Sequence, residues 1–176
     1  VAMNIVLGII TSALGIPLYL DTLGTVLSAA ILGPVPGIIV GALSNIITGL
    51  IYSVSDIPFC LVNMAVGLIV GLVAHKVAKI NESTDKKYVF KWSVIASVAG
   101  LAFNVIADPI VGYFYKQYIL GQPQELAQAL AKMSAAATFI NAVVSVILVA
   151  IIYNAVRPVL IKSHLITVTN NKNQVA

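Results

Sequence analysis

The stretch GIPLYLDTLGTVLSAAILGPVPGIIVGALSNIITGLIY, Gly15–Tyr52, sets a carboxylate, two turns and an amide inside a sequence too apolar to be soluble. Gly15 and Pro17 open a loop that carries Asp21 and Thr22, and Gly33-Pro34-Val35-Pro36-Gly37 reads as a tight turn between two apolar helices. Asn45 then falls inside the second of those helices. An amide in hydrocarbon has to find partners among protein groups, bound ligand or water, so it faces inward rather than toward lipid. Read this way, the stretch is the core of a membrane-embedded pocket. The plainer alternative for any one such asparagine is helix-to-helix glue.

Composition agrees with that setting. Of 176 residues, 60% are hydrophobic and only 9% are charged. Mean hydropathy is +1.01, and no chain of this length can hide so much apolar surface from water. A net charge of +4 raises the question of nucleic acid. The basic residues, however, cluster beside apolar segments with no stacking platform among them, which fits membrane topology and not nucleic-acid binding. Cys60 is the single cysteine and lies in an apolar run, which excludes disulfides, CxxC redox chemistry and thiolate clusters; it reads as a small buried hydrophobe. The first residues carry no basic n-region and no A-x-A site, so no cleavable signal is expected. Because the chain starts at Val1, a few native residues are expected to precede it.

Working outward, six apolar segments follow in order. Val1–Leu14 is short against the roughly 20 residues that cross a bilayer, and Leu23–Leu32 is short and rich in small residues. Gly37–Ser53 carries Gly37-x-x-x-Gly41, and Ile57–Lys79 carries Gly67-x-x-x-Gly71; both spacings put glycines on one helix face for close packing. Trp92–Tyr115 and Ala135–Val159 complete the set. The fold class expected is therefore an all-α membrane protein of six transmembrane helices, one domain over 1–165 with a polar tail over 166–176. Lys76, Lys79, Lys86, Lys87 and Lys91 surround one loop, and Arg157, Lys162 and Lys172 follow the last segment, so both termini are expected on the cytoplasmic side. Asp21, Asp56 and the stretch Tyr115–Lys132 then face outward. Within that stretch Leu126, Leu130 and Met133 fall at helical spacing after Pro123, predicting a short amphipathic helix between helices five and six, either a lid or a helix resting on the membrane surface.

With this orientation Asn45, Asn63, Asn104 and Asn141 each lie about six to nine residues below the outer end of their own segment, roughly 9 to 14 Å deep. Four amides at one level in four helices predict a shared polar cavity that opens outward. Asp108 lies one turn above Asn104 on the same face, and Pro109 after it predicts a kink with partly freed carbonyls. A carboxylate near hydrocarbon is itself a candidate functional group, while Asp56 reads more simply as a solvated loop residue. Gly41-Ala-Leu-Ser-Asn45 echoes Gly100-Leu-Ala-Phe-Asn104, which is consistent with paired helical hairpins.

The candidate binding set is thus Asp21, Thr22, Asn45, Asn63, Asn104, Asp108, Tyr113 and Asn141, with Tyr19 and Tyr115 as further stacking faces. Amides supply paired donors and acceptors, and acids outnumber cations at that depth, with Lys116 near the rim. The ligand expected is neutral or cationic and rich in hydrogen-bonding groups, of the cobalamin, nucleobase-derivative or thiamin kind rather than a polycarboxylate such as folate. Catalysis is not expected. His75 and His164 fall at helix ends on the basic side, and there is no HExxH, GxSxG or Walker A sequence, so this chain does not itself hydrolyse ATP.

The pattern resembles the substrate-binding S components of energy-coupling factor (ECF) vitamin transporters. The residues that carry the resemblance are Pro17-Leu-Tyr-Leu-Asp21-Thr-Leu-Gly-Thr25, then Leu32-Gly-Pro-Val-Pro-Gly37 with Gly41 and Asn45, and Asp56-Ile-Pro58-Phe-x-x-x-Asn63. The resemblance implies a multi-pass protein of the bacterial plasma membrane that captures a vitamin-type small molecule from outside. It also implies a membrane scaffold T subunit and two cytoplasmic ATPases as partners, with ATP used by them and no cofactor in this chain. Family members dock on the scaffold through Ala-x-x-x-Ala in the first helix. Here Val6 follows Ala2 at that spacing and the nearest alternative is Asn4-x-x-x-Gly8, so the docking residues expected are Ala2, Asn4, Gly8, Ala29 and Ala30. The rival is a ligand-binding membrane sensor domain without transport.

Overall fold

The computed structural model of the chain describes residues 1–15, 20–166 and 168. Pro17, Tyr19 and most of the expected tail lie outside that set. Among the described residues the chain is helical throughout, with no strand. Its helices are α1 (Ala2–Ala13), α2 (Leu23–Leu32), α3 (Pro34–Ile51), α4 (Cys60–Leu72), α5 (Lys86–Phe114) and α6 (Gln124–Lys162).

Four helical stretches are long and apolar enough to cross a membrane: Pro34–Ile51, Val54–Val77, Lys86–Ile119 and Gln124–Lys162. At 1.5 Å per residue the 12 residues of α1 and 10 of α2 span only about 18 and 15 Å, against a hydrocarbon core of about 30 Å. Large apolar side chains such as Leu50, Leu61, Ile106, Phe139 and Ile151 point outward, which a lipid-facing surface requires.

The turn expected over Gly33–Gly37 contracts to one residue. Gly33 takes φ +104, a conformation glycine adopts without a Cβ clash. Pro34 starts α3 at once, because its fixed φ and missing N–H suit a first helical position. The fourth segment begins as a tight 3-10 turn, Val54–Phe59, that hands over to α4, and α4 ends in a wider turn, Val73–Val77.

The junction between the last two segments differs most from the sequence expectation. Helix α5 runs unbroken through Pro109 to Phe114 and on through a wide turn at Tyr115–Ile119; the missing proline N–H still removes the helical partner of the Val105 carbonyl. Only residues 120–123 connect it to α6. The amphipathic helix expected as a separate piece is instead the first turns of the 39-residue α6. The physical reason is local: Ser134-Ala135-Ala136-Ala137 contains no glycine or proline, so nothing stops the helix between Met133 and the apolar segment.

Packing follows the glycines. The two GxxxG faces meet each other: a Cβ on Gly67 would lie 2.4 Å from the Gly37 carbonyl, one on Gly41 2.4 Å from Asn63 O, and one on Gly71 2.3 Å from the Pro34 Cα. Thus α3 and α4 touch backbone to backbone. Helix α2 is buried through Leu23, Val26, Ala29 and Ala30.

At the end that carries the lysines, polar side chains hold carbonyls that have no helical partner. His75 Nε2 lies 3.1 Å from the Ala30 carbonyl, Asn81 Nδ2 donates to Ile31 O at 2.8 Å, and the Tyr153 hydroxyl donates to Asn81 Oδ1 at 2.5 Å. Arg157, unlike the exposed lysines, is buried and donates to the carbonyls of Ile80 and Ser83. These bonds cap the helix ends at this side of the bundle.

Candidate ligand-binding site

All four expected asparagines line one cavity of about 430 Å³, within the usual range for small-molecule sites. Helix α3 brings Asn45, α4 brings Asn63, α5 brings Asn104 and α6 brings Asn141, each nearly fully buried. Asn63 Nδ2 donates to Asn45 Oδ1, and Asn45 Nδ2 reaches the Asp56 carbonyl at 3.4 Å. These two amides tie α3, α4 and the 3-10 turn together. Asn141 Oδ1 accepts the backbone N–H of Leu20 at 2.9 Å, which fixes the start of the Asp21 loop on α6. Asn104 differs: it is 4% exposed, and among the described residues its amide has no hydrogen-bond partner. A buried amide left this way costs free energy unless something in the cavity pairs with it.

The acids form the upper part of the same cavity. Asp21, Asp56 and Asp108 all line it, so Asp56 belongs to the site and is not merely a solvated loop residue. One oxygen of Asp108, Oδ2, accepts from Ser134 at 2.8 Å and Thr138 at 3.0 Å; both hydroxyls come from α6 and tie it to α5. Burial pushes the Asp21 carboxyl up to about 6 from 3.8, the charge of Asp108 adds to the shift, and its own backbone N–H and the Asn141 amide oppose it. Lys116, from the wide turn after α5, is the cation of the cavity wall. Its Nζ lies 3.5 Å from where a Cβ on Gly112 would stand, with the Phe59 ring at 3.4 Å from that point.

Two expected site residues are elsewhere. Thr22 is 1% exposed, does not reach the cavity, and its hydroxyl has no partner among the described residues. Tyr113 turns to a shallow apolar groove with Pro109, Phe114 and Ala135, because it lies five residues from Asp108, about 140° around the helix from the inward face. Tyr19 lies outside the described residues.

The expected docking residues are placed mostly inside. Asn4 is 1% exposed, accepts the Gly24 N–H at 2.5 Å and donates to Thr25 at 3.0 Å and Ser44 at 2.9 Å; with Gly8 it lines the cavity. Ala29 and Ala30 are fully buried, Ala29 against Gly37. Only Ala2 is exposed, on a face shared with Met3, Val6 and Ile10. The reason is that Asn4, as a buried amide, turns its own face of α1 toward partners in α2 and α3.

Ser44, Thr48, Tyr52, Ser134 and Thr138 join the site beyond those expected. Their signal was in the sequence: Thr48 and Tyr52 lie three and seven residues after Asn45, and Thr138 and Ser134 three and seven before Asn141, which is one helix face in each case. Ile5, Ile9 and Phe59 supply an apolar wall.

The arrangement offers a small molecule neutral amides and carboxylates as hydrogen-bonding partners. A sequence model of the family described as "ECF-type riboflavin transporter, S component" matches residues 1–158. No curated protein and no solved structure matches the chain.

Proposed function

The chain belongs to the family of ECF-type riboflavin transporter S components, and we propose that its cavity holds riboflavin. Membership makes it a membrane-embedded, substrate-binding subunit of a transporter. The amides alone would admit a cobalamin-, nucleobase- or thiamin-type ligand equally. Riboflavin is preferred because it answers both halves of the wall. Its ring edge alternates carbonyl and N–H groups, which asparagine amides pair with, its ribityl chain is polyhydroxylated, and its dimethylbenzene edge is apolar, as Ile5, Ile9 and Phe59 are. The observation that carries the reading is the buried amide of Asn104, without a hydrogen-bond partner among the described residues, in a cavity lined by three further asparagines. Asp108, with Oδ2 satisfied by two hydroxyls, has its other oxygen available to accept from the ligand.

The test is a titration of the detergent-purified chain with riboflavin, read by quenching of flavin fluorescence. One-to-one saturation at sub-micromolar concentration is expected; no quenching, with saturable binding of thiamin or cobalamin instead, would replace the ligand assignment.

Delivery inward is assigned to a complex with a T subunit and two ATPases, since this sequence has no nucleotide site. In that complex α1 would present Ala2, Met3, Val6 and Ile10 to the scaffold, and toppling of the subunit in the membrane would turn the cavity inward. We further read α1 and α2 as short crossings, giving six in all with both termini cytoplasmic. Single cysteines at Leu14, Thr84 and Gln124, in a Cys60→Ser background, check this. Leu14 and Gln124 should label from outside and Thr84 from inside; labelling of Leu14 from the Thr84 side would remove α1 as a crossing.

A further inference from the structure

The cavity is lopsided in charge. Its lower wall is made of neutral amides, while among the described residues its charged side chains are Asp21, Asp56, Asp108 and Lys116, three acids against one base. The acids come from three separate places in the fold: Asp21 from the loop before α2, Asp56 from the 3-10 turn before α4, and Asp108 from α5 one turn above Asn104. They therefore reach the cavity from three different segments of the chain. Residues 16–19 of the same loop are Ile, Pro, Leu and Tyr and add no charge. That a ligand occupies the space below is indicated independently by Asn104, which is 4% exposed, lines the cavity and has no hydrogen-bond partner among the described residues.

We propose that Asp21, Asp56 and Asp108 act as a charge filter that admits the neutral vitamin and rejects its phosphorylated form. The inference rests on the riboflavin reading above. A riboflavin 5′-phosphate carries nearly two negative charges at neutral pH, and either way of entering the cavity is unfavourable for it. With the phosphate uppermost, it stands among carboxylates. With the phosphate below, it leaves water for amides that offer hydrogen bonds but no positive charge, and a buried unpaired anion is costly. Lys116 sets one positive charge against the three acids, already shared between Asp56 and Asp108, and its ammonium lies beside Gly112 near the Phe59 ring. The neutral hydroxyl of riboflavin meets none of these penalties, and carboxylates accept hydrogen bonds from it.

The experiment compares riboflavin with riboflavin 5′-phosphate on the purified full chain, each titrated by flavin fluorescence quenching. The wild-type chain is expected to prefer riboflavin about 100-fold or more. Asp56→Asn and Asp21→Asn keep the side-chain shape and remove a charge. Each should raise the affinity for the phosphate relative to riboflavin about 10- to 50-fold, the effect of one charge pair some 7 Å apart at an effective dielectric constant near 20. A second measurement needs no variant: on the wild-type chain, raising ionic strength from about 0.05 to 0.5 M should narrow the preference, because salt screens charges at an open mouth. Equal binding of both flavins by the wild-type chain, or a preference unmoved by both substitutions and by salt, overturns the filter while leaving the riboflavin assignment standing. Failure of riboflavin itself to bind overturns both.

Discussion

Gly67→Ala is expected to lower the unfolding temperature of the detergent-purified chain by about 6 to 12 °C. The added Cβ would lie 2.4 Å from both C and O of Gly37 and 2.8 Å from the Ile38 nitrogen. All three are backbone atoms of α3, so no rotamer change relieves the overlap and the two helices have to part. Overpacking of this kind costs about 1 to 3 kcal/mol. The upper end applies, since parting the helices also loosens Gly41 against Asn63 and Gly71 against Pro34. About 3 kcal/mol converts to the stated shift at roughly 2 to 4 °C per kcal/mol for a chain of this size. The control is Gly112→Ala, whose Cβ would meet Phe59 at 3.4 Å and Lys116 at 3.5 Å, an ordinary contact, and which should stay within about 2 °C. Equal unfolding temperatures for the two variants would mean that the α3–α4 seam does not hold the fold.

Asn104→Ala should weaken riboflavin binding about 5- to 150-fold while leaving the unfolding temperature of the free chain unchanged. Its amide has no partner among the described residues, so removal breaks nothing in the empty protein and leaves a ligand group unpaired, a loss of about 1 to 3 kcal/mol. Asn63→Ala should behave differently. That amide donates to Asn45 Oδ1, and its loss leaves a buried acceptor in the unliganded protein as well, so affinity and stability should fall together. Parallel titration and thermal unfolding separate the two. An Asn104→Ala chain that keeps full affinity would remove this residue from the binding set.

Much of the site could be read from the sequence because depth in a membrane helix is counted in residues. Once Lys76–Lys91 set the orientation, the offset of each asparagine from its helix end placed Asn45, Asn63, Asn104 and Asn141 at one level, and the cavity contains all four. The glycine spacings were equally legible, since a GxxxG face has to meet another close surface. Rotation about the helix axis was the harder quantity. Tyr113 has the right depth and the wrong face, and Asn4 has the small-residue spacing of a docking motif while its amide is drawn inward by Gly24, Thr25 and Ser44. The sequence by itself determined the solvent, the helical class, the inward amides and, at their depth, the excess of acid over base. Only the tertiary structure decided that the GxxxG faces of α3 and α4 pair with each other, that α6 continues where a loop was expected, and that Asp56 joins Asp21 and Asp108. Those facts depend on which side chains from distant segments satisfy one another, and hydropathy and spacing along one helix carry no information about its neighbours.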